Sequence, residues 1–143
     1  MTALTITTSQ VLPVSGPTVG GIIGAALGAG SAVYYDTVTG TWKAGQCDGT
    51  AAEAGQDGYG ILLATTAVAG QKCAVALPGA IVDLGSGAAP AAGTVYAFAA
   101  AAGSLAPMAD MATTNRVTPF ALGIGSHKVA ILTGAYQAGA VVP

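Results

Sequence analysis

Charge is what this sequence has least of. Only 7% of its 143 residues are Asp, Glu, Lys or Arg, against roughly 25% in ordinary soluble domains. The four cations, Lys43, Lys72, Lys128 and Arg116, are scattered. Neutralising a phosphate backbone takes several cations on one face, so nucleic acid is not an expected partner. Histidine occurs once, at His127. Its neighbour Ser126 would point to the opposite face of a strand, so no Ser-His-Asp arrangement can be read from it, and a turn between two strands is its expected place. There is no Cys-x-x-Cys or His-x3-His spacing, which structural and catalytic metal sites use. No metal and no cofactor are expected.

The six acidic residues are Asp36, Asp48, Glu53, Asp57, Asp83 and Asp110. Most fall near turn signals, where Asp bonds its own backbone, rather than in a pair suited to acid–base hydrolysis. The Gly-x-Gly segments GAGSAV, GYGILL and GIGSHK lack the third glycine of a dinucleotide loop, and no P-loop lysine follows them. The chain is therefore not expected to be an enzyme. Cysteine is limited to Cys47 and Cys73. A disulfide-stapled scaffold would carry more, and the two read as small buried apolar residues, with a bridge left open.

Long apolar runs are also missing. The best candidate, VGGIIGAALGAGSAV at 19–33, contains five glycines and follows Pro13 and Pro17. A membrane-spanning helix needs about 20 predominantly apolar residues, so no membrane span is expected, and no basic segment of a signal peptide precedes the run. Aromatics make up 6%. Tyr34 and Tyr35 alternate in direction if they lie on a strand, one to a core and one to a surface or interface.

What is present is 52% apolar residues, mostly Ala and Val, with 22 glycines and 7 prolines. So little charge with no membrane span implies surface buried against other chains, and a homo-oligomer is expected. The glycines and prolines interrupt the chain too often for ordinary helices. Short alternating segments remain.

Two of them are related. GSAVYYDTVTGTWKAG at 30–45 is echoed by GTVYAFAAAAGSLAPM at 93–108, an offset of 63 (93 − 30). Gly60-Ile61 matches Gly123-Ile124 at the same offset, and KCAVALPGA at 72–80 matches KVAILTGAY at 128–136. Strands are predicted at 32–37, 41–43, 59–65 and 72–77, and again at 94–99, 104–105, 120–125 and 128–132. Further strands are predicted at 4–7 and 80–84. The expectation is one all-β domain over 1–143, a small barrel or sandwich. It is built from two related β units, 31–79 and 94–134, with an extended N-terminal arm at 1–20.

MTALTIT, GSAVYYDTVTGTWKAG, AGQKCAVALPGAIVDLGSGAAPAAGTVYAFAAAAGSLAPMAD and TPFALGIGSHKVAILTGAYQAGAVV together span nearly the whole chain. In this order it resembles the tailed-phage head decoration, or capsid cement, family. The resemblance implies a structural protein made in the host cytoplasm and carried on the outer surface of an icosahedral head. It would bind the major capsid protein, often as a homotrimer. The arm supplies the candidate contacts: Leu4, Thr5, Ile6, Thr7 and Val11. Leu4 and Ile6 alternate with Thr5 and Thr7, so the arm is expected to add to a sheet edge of a sister subunit or of the capsid protein. Pairing within its own subunit is the competing expectation. The rival function is a β-rich tail or fibre adhesin binding a host-surface ligand.

Overall fold

The structure is a computed structural model. It describes residues 4–50, 52–85, 87–88, 90–110, 115–117, 119–132 and 140–141. In chain order the strands are β1 (Leu12–Ser15), β2 (Thr18–Ile22), β3 (Ala32–Asp36), β4 (Thr41–Ala44), β5 (Tyr59–Leu62), β6 (Lys72–Ala76), β7 (Ile81–Asp83), β8 (Val95–Phe98), β9 (Leu105–Pro107), β10 (Arg116–Val117), β11 (Ala121–Gly125), β12 (Lys128–Ile131) and β13 (Ala140–Val141). Among the described residues helix is confined to two single 3₁₀ turns, Thr8–Gln10 and Met108–Asp110. The all-β expectation holds.

Two antiparallel sheets form a small β sandwich. One has the order β2-β6-β5-β3-β4, the other β1-β7-β12-β11-β8-β9, and β10 pairs with β13 apart from both. Local chemistry makes the tight turns. Between β3 and β4 the Asp36 carboxylate accepts the Val38 amide at 3.0 Å, and the Gly40 amide donates to Asp36 O at 2.8 Å. Between β11 and β12 the two-residue loop is Ser126-His127, both at positive φ (53° and 65°), the conformation favoured in two-residue hairpins. His127 is thus a turn residue.

The first sheet (unit one) and β7 to β12 of the second (unit two) have the same strand order. Their registers agree too. Tyr34 pairs Lys43 and Ala97 pairs Ala106, both 63 apart (97 − 34; 106 − 43). Val19 pairs Val75 and Val82 pairs Val129, so β2 corresponds to β7 at 63 (82 − 19) and β6 to β12 at 54 (129 − 75). Ala32 pairs Ile61 and Val95 pairs Leu122. That places β5 on β11 at 61 (122 − 61). Matching hydrogen bonds repeat this register: Gly30 N to Leu62 O and Gly93 N to Gly123 O, at 2.7 and 2.8 Å. The structural counterpart of Gly60-Ile61 is therefore Ala121-Leu122, two residues before the Gly-Ile match in sequence. Each unit has five strands rather than four, since β2 and β7 belong to the pattern.

The sandwich core lies between unit one's Ala32, Tyr34, Tyr59, Ile61 and Ala76 and unit two's Val82, Tyr96, Phe98, Leu105, Phe120 and Val129. The Phe120 ring meets Tyr59 at a tilt, with centroids 5.1 Å apart, and Phe98 edge-on at 4.9 Å. The Tyr59 hydroxyl donates to Leu132 O at 2.7 Å, and burial pushes its pKa up. The opposite face of unit one holds a second cluster of Ile23, Val33, Trp42, Leu62, Cys73 and Val75. There Ile23 bridges Trp42 in parallel, curling the sheet so that β2 approaches β4. Tyr34 points into the main core and Tyr35 packs against the second cluster. Cys47 and Cys73 are free and buried in different clusters, so no bridge joins them.

Candidate functional site

The N-terminal arm folds onto its own domain. Residues 4–7, predicted as a strand, form none; the chain there passes into the 3₁₀ turn at Thr8–Gln10. The Leu4 amide donates to Leu105 O at 2.8 Å. Leu4 and Ile6 are half-buried and pack on the main core, and Val11 belongs to it. Thr5 and Thr7 are exposed. The three apolar candidates thus pack on or within this subunit's core, and the two hydroxyl candidates face solvent. The physical reason is an opening in unit two. In unit one the Gly24 amide donates to Trp42 O at 2.8 Å, which helps β2 return to β4. Leu105 is the counterpart of Trp42 (42 + 63), and there Leu4 makes the equivalent bond. A shallow cleft of ≈ 210 Å³ marks the seam where Leu4, Ile6 and Thr8 meet Gly28–Ser31 and Ala102–Ser104.

The exposed apolar surface follows immediately after the arm. Among the described residues seven large apolar side chains are exposed, and four of them are Leu12 (62%), Val14 (49%), Val19 (37%) and Ile22 (37%). They lie on β1 and β2, the outermost strands on one side of each sheet. Pro13 occupies β1, where an edge tolerates the missing N–H. Gly16 turns the chain from one sheet to the other. Its φ is +98°, and a Cβ there would collide with the Ala80 backbone, so the crossing requires glycine. The sequence signal for this edge is Pro13.

Beside β2 opens a groove of ≈ 530 Å³ lined by Val19, Gly21, Ile22, Tyr35, Trp42 and Leu77 among others. The indole of Trp42 lies against Gly21, where a Cβ would come within 2.8 Å of it. The Tyr35 ring meets the indole edge-on at 5.2 Å. Trp42 is 7% exposed, so its ring forms a floor rather than an open platform.

The titratable groups are dispersed. Among the described residues no three His, Cys, Asp or Glu side chains are placed to hold one metal ion. Asp36 is bound to Lys43 at 2.7 Å. Glu53 accepts from Gln46 and Thr50, and Asp83 accepts the Gly85 amide. Burial raises the pKa of both thiols, with Asp48 adding to the effect at Cys47. No described helix is long and apolar enough to cross a membrane.

In comparisons with known proteins, no family model, no curated protein and no solved structure matched the chain.

Proposed function

We propose that this chain is a structural virion protein that binds the outer surface of an icosahedral phage head, contacts the major capsid protein and stabilises the shell as a homo-oligomer, in the expected case a trimer. The observation that carries the reading is the exposure of Leu12, Val14, Val19 and Ile22 on two edge strands of a chain with 7% charged residues. Sheet edges offer main-chain hydrogen bonds to an added strand, and alternate apolar side chains fix its register. A cement that binds only the expanded shell stabilises it by mass action, and repeated contacts over a lattice multiply weak affinities.

The rival reading, a tail or fibre adhesin, calls for an exposed aromatic face to stack on a sugar. Trp42, with 7% of its surface exposed, offers little of one. The deciding experiment adds the purified chain to expanded heads that lack it. Co-sedimentation at a fixed ratio and a raised head melting temperature are expected. Leu12→Asp with Val14→Asp should reduce occupancy while leaving the chain's own melt nearly unchanged. No binding to any form of the head would overturn the proposal.

A further inference from the structure

The two units stack the same way round. In unit two the face carrying Val82, Phe98, Leu105 and Ile131 is turned inward, with exposures of 0%, 1%, 0% and 2%. The register makes Val19, Tyr35, Trp42 and Leu77 their counterparts in unit one. Those four residues line the open groove. The same surface is therefore written twice: unit two fills it throughout, whereas unit one buries Val33, Leu62 and Val75 under its own curl and leaves open only the margin at Val19, Tyr35 and Leu77.

The filler is also written twice. Inside the molecule, unit two's face is covered by Ala32, Ile61 and Ala76 of unit one, with Leu63 packed against the same core. Their counterparts in unit two are Val95, Leu122, Ala130 and Ile124 (offsets 63, 61, 54 and 61). All four are apolar. Val95, Leu122 and Ala130 are half-buried, and Ile124 is 44% exposed. This margin of the outward face has kept the character of a cover, while the middle of the same face, Ala97 and Ala106, is already buried within the chain.

We propose that the groove of unit one receives the outward face of unit two from a second copy of this chain, repeating between molecules the stacking that joins the two units within one. The occupant follows from the duplication: the internal contact is the worked example of what this groove accepts. Such a contact is heterologous, because two different surfaces meet. It closes into a ring if the rotation per copy allows and otherwise extends as a filament. It goes beyond head binding and stands without it.

The test uses the full chain and two blocked variants. Val19→Asp places a charge in the groove, and Ile22→Asp does so at its rim should the first variant fold poorly. Ile124→Asp places one on the outward face. All should stay folded, since each site is exposed, with melts lowered only by the association they lose. By light scattering over a concentration series, the wild type should exceed the 13.6 kDa of one chain. Each variant alone should lose self-association by more than about tenfold. A one-to-one mixture of a groove variant with the face variant should form a heterodimer, because one intact groove and one intact face remain. A wild type that stays monomeric throughout overturns the proposal. So do variants that associate like wild type, or a mixture that stays monomeric. Head binding is measured separately: a monomer that still decorates heads defeats this contact and the homo-oligomer of the decoration reading but leaves head binding standing, and an oligomer that never binds them defeats only the decoration reading.

Discussion

Unit one and unit two share five strands, one strand order and one pattern of cross-strand partners, yet equivalent side chains live in different solvents. Phe98 is 1% exposed at the centre of the sandwich, whereas Tyr35, its counterpart, stands half-buried at the groove. Trp42 and Leu105 differ in the same sense, the indole keeping a small exposed edge where the leucine has none. The backbone plan fixes which residues pair; it does not fix which face is covered. Cover comes from outside the sheet. Unit two takes it from unit one and from the arm, and unit one closes part of its own face through Ile23 and leaves the rest open.

The strongest way to break this comparison is to truncate the matched pair. Phe98→Ala removes a ring that touches Phe120 and stands against Gly45 and Gly55. It should cost about 3–5 kcal/mol, the usual range for a fully buried aromatic. Tyr35→Ala removes a ring from the groove and should cost only about 1 kcal/mol. Urea unfolding of both variants checks the ratio. Equal losses would mean that the two faces are equally covered.

A second matched pair reverses the expectation of conservative change. Gly60 corresponds to Ala121, so alanine is already accepted at that position of the plan. A Cβ on Gly60, however, would strike the Ala76 carbonyl and the Val75 side chain. Gly60→Ala should destabilise by about 1–3 kcal/mol through overpacking. Ala121→Gly should cost nearer 0.5–1 kcal/mol. Thermal melts of the two variants would sharpen the β5–β11 equivalence, which rests on the register alone.

Much of the plan is legible in the sequence. Alternation in KCAVAL and the echo of GSAVYY in GTVYAF marked strands at or near their observed positions, because a half-buried strand must alternate. Low helix content followed from the spacing of Gly and Pro. The two-residue error at Gly60-Ile61 arose because Gly-Ile recurs in the sequence, whereas register follows pairing with β3 and β8. The sequence alone also could not show that 4–7 would fold back: LTIT has the pattern of an edge strand, but the opening beside Leu105 exists only once unit two is assembled. For the same reason Leu4 and Ile6 pack on the core while Leu12, Val14, Val19 and Ile22 stay exposed. Which apolar residues stay outside is a property of packing, not of local pattern.

The arm supplies a third, smaller test. Val11 is 7% exposed within the main core, and its side chain stands against Gly30. Val11→Ala should lower stability by on the order of 1–2 kcal/mol, and removing residues 2–12 should lower it further, because Leu4 and Ile6 leave with it. A truncated chain with an unchanged melt would detach the arm from unit two and restore it as a free binding element.

The smallest effect concerns the Asp36–Lys43 ion pair, whose equivalent unit two cannot form. Asp36 and Lys43 meet at 2.7 Å. Their counterparts, 63 residues on, are Ala99 and Ala106, buried at 1% and 0% exposure. The Lys43 ammonium, followed by the Val38 amide, holds the Asp36 carboxyl below its ordinary 3.8, and Asp36 in turn raises Lys43 above 10.5. A lowered carboxyl pKa stabilises the fold above the unfolded value, and that contribution is lost as pH falls through the lower folded one. A raised ammonium pKa contributes below 10.5, and its contribution is lost as pH rises through the folded value. Stability from this pair is therefore level between roughly pH 5 and 9 and declines at both ends. Lys43→Met should bring the Asp36 titration, followed by carboxyl NMR, back up toward 3.8 and shift the acid limb of the stability curve to higher pH. The change in the neutral melt should be slight, because water screens a surface pair, and 1 M salt should remove most of the remaining difference. An Asp36 titration unmoved by Lys43→Met would assign its lowering to the turn amides instead.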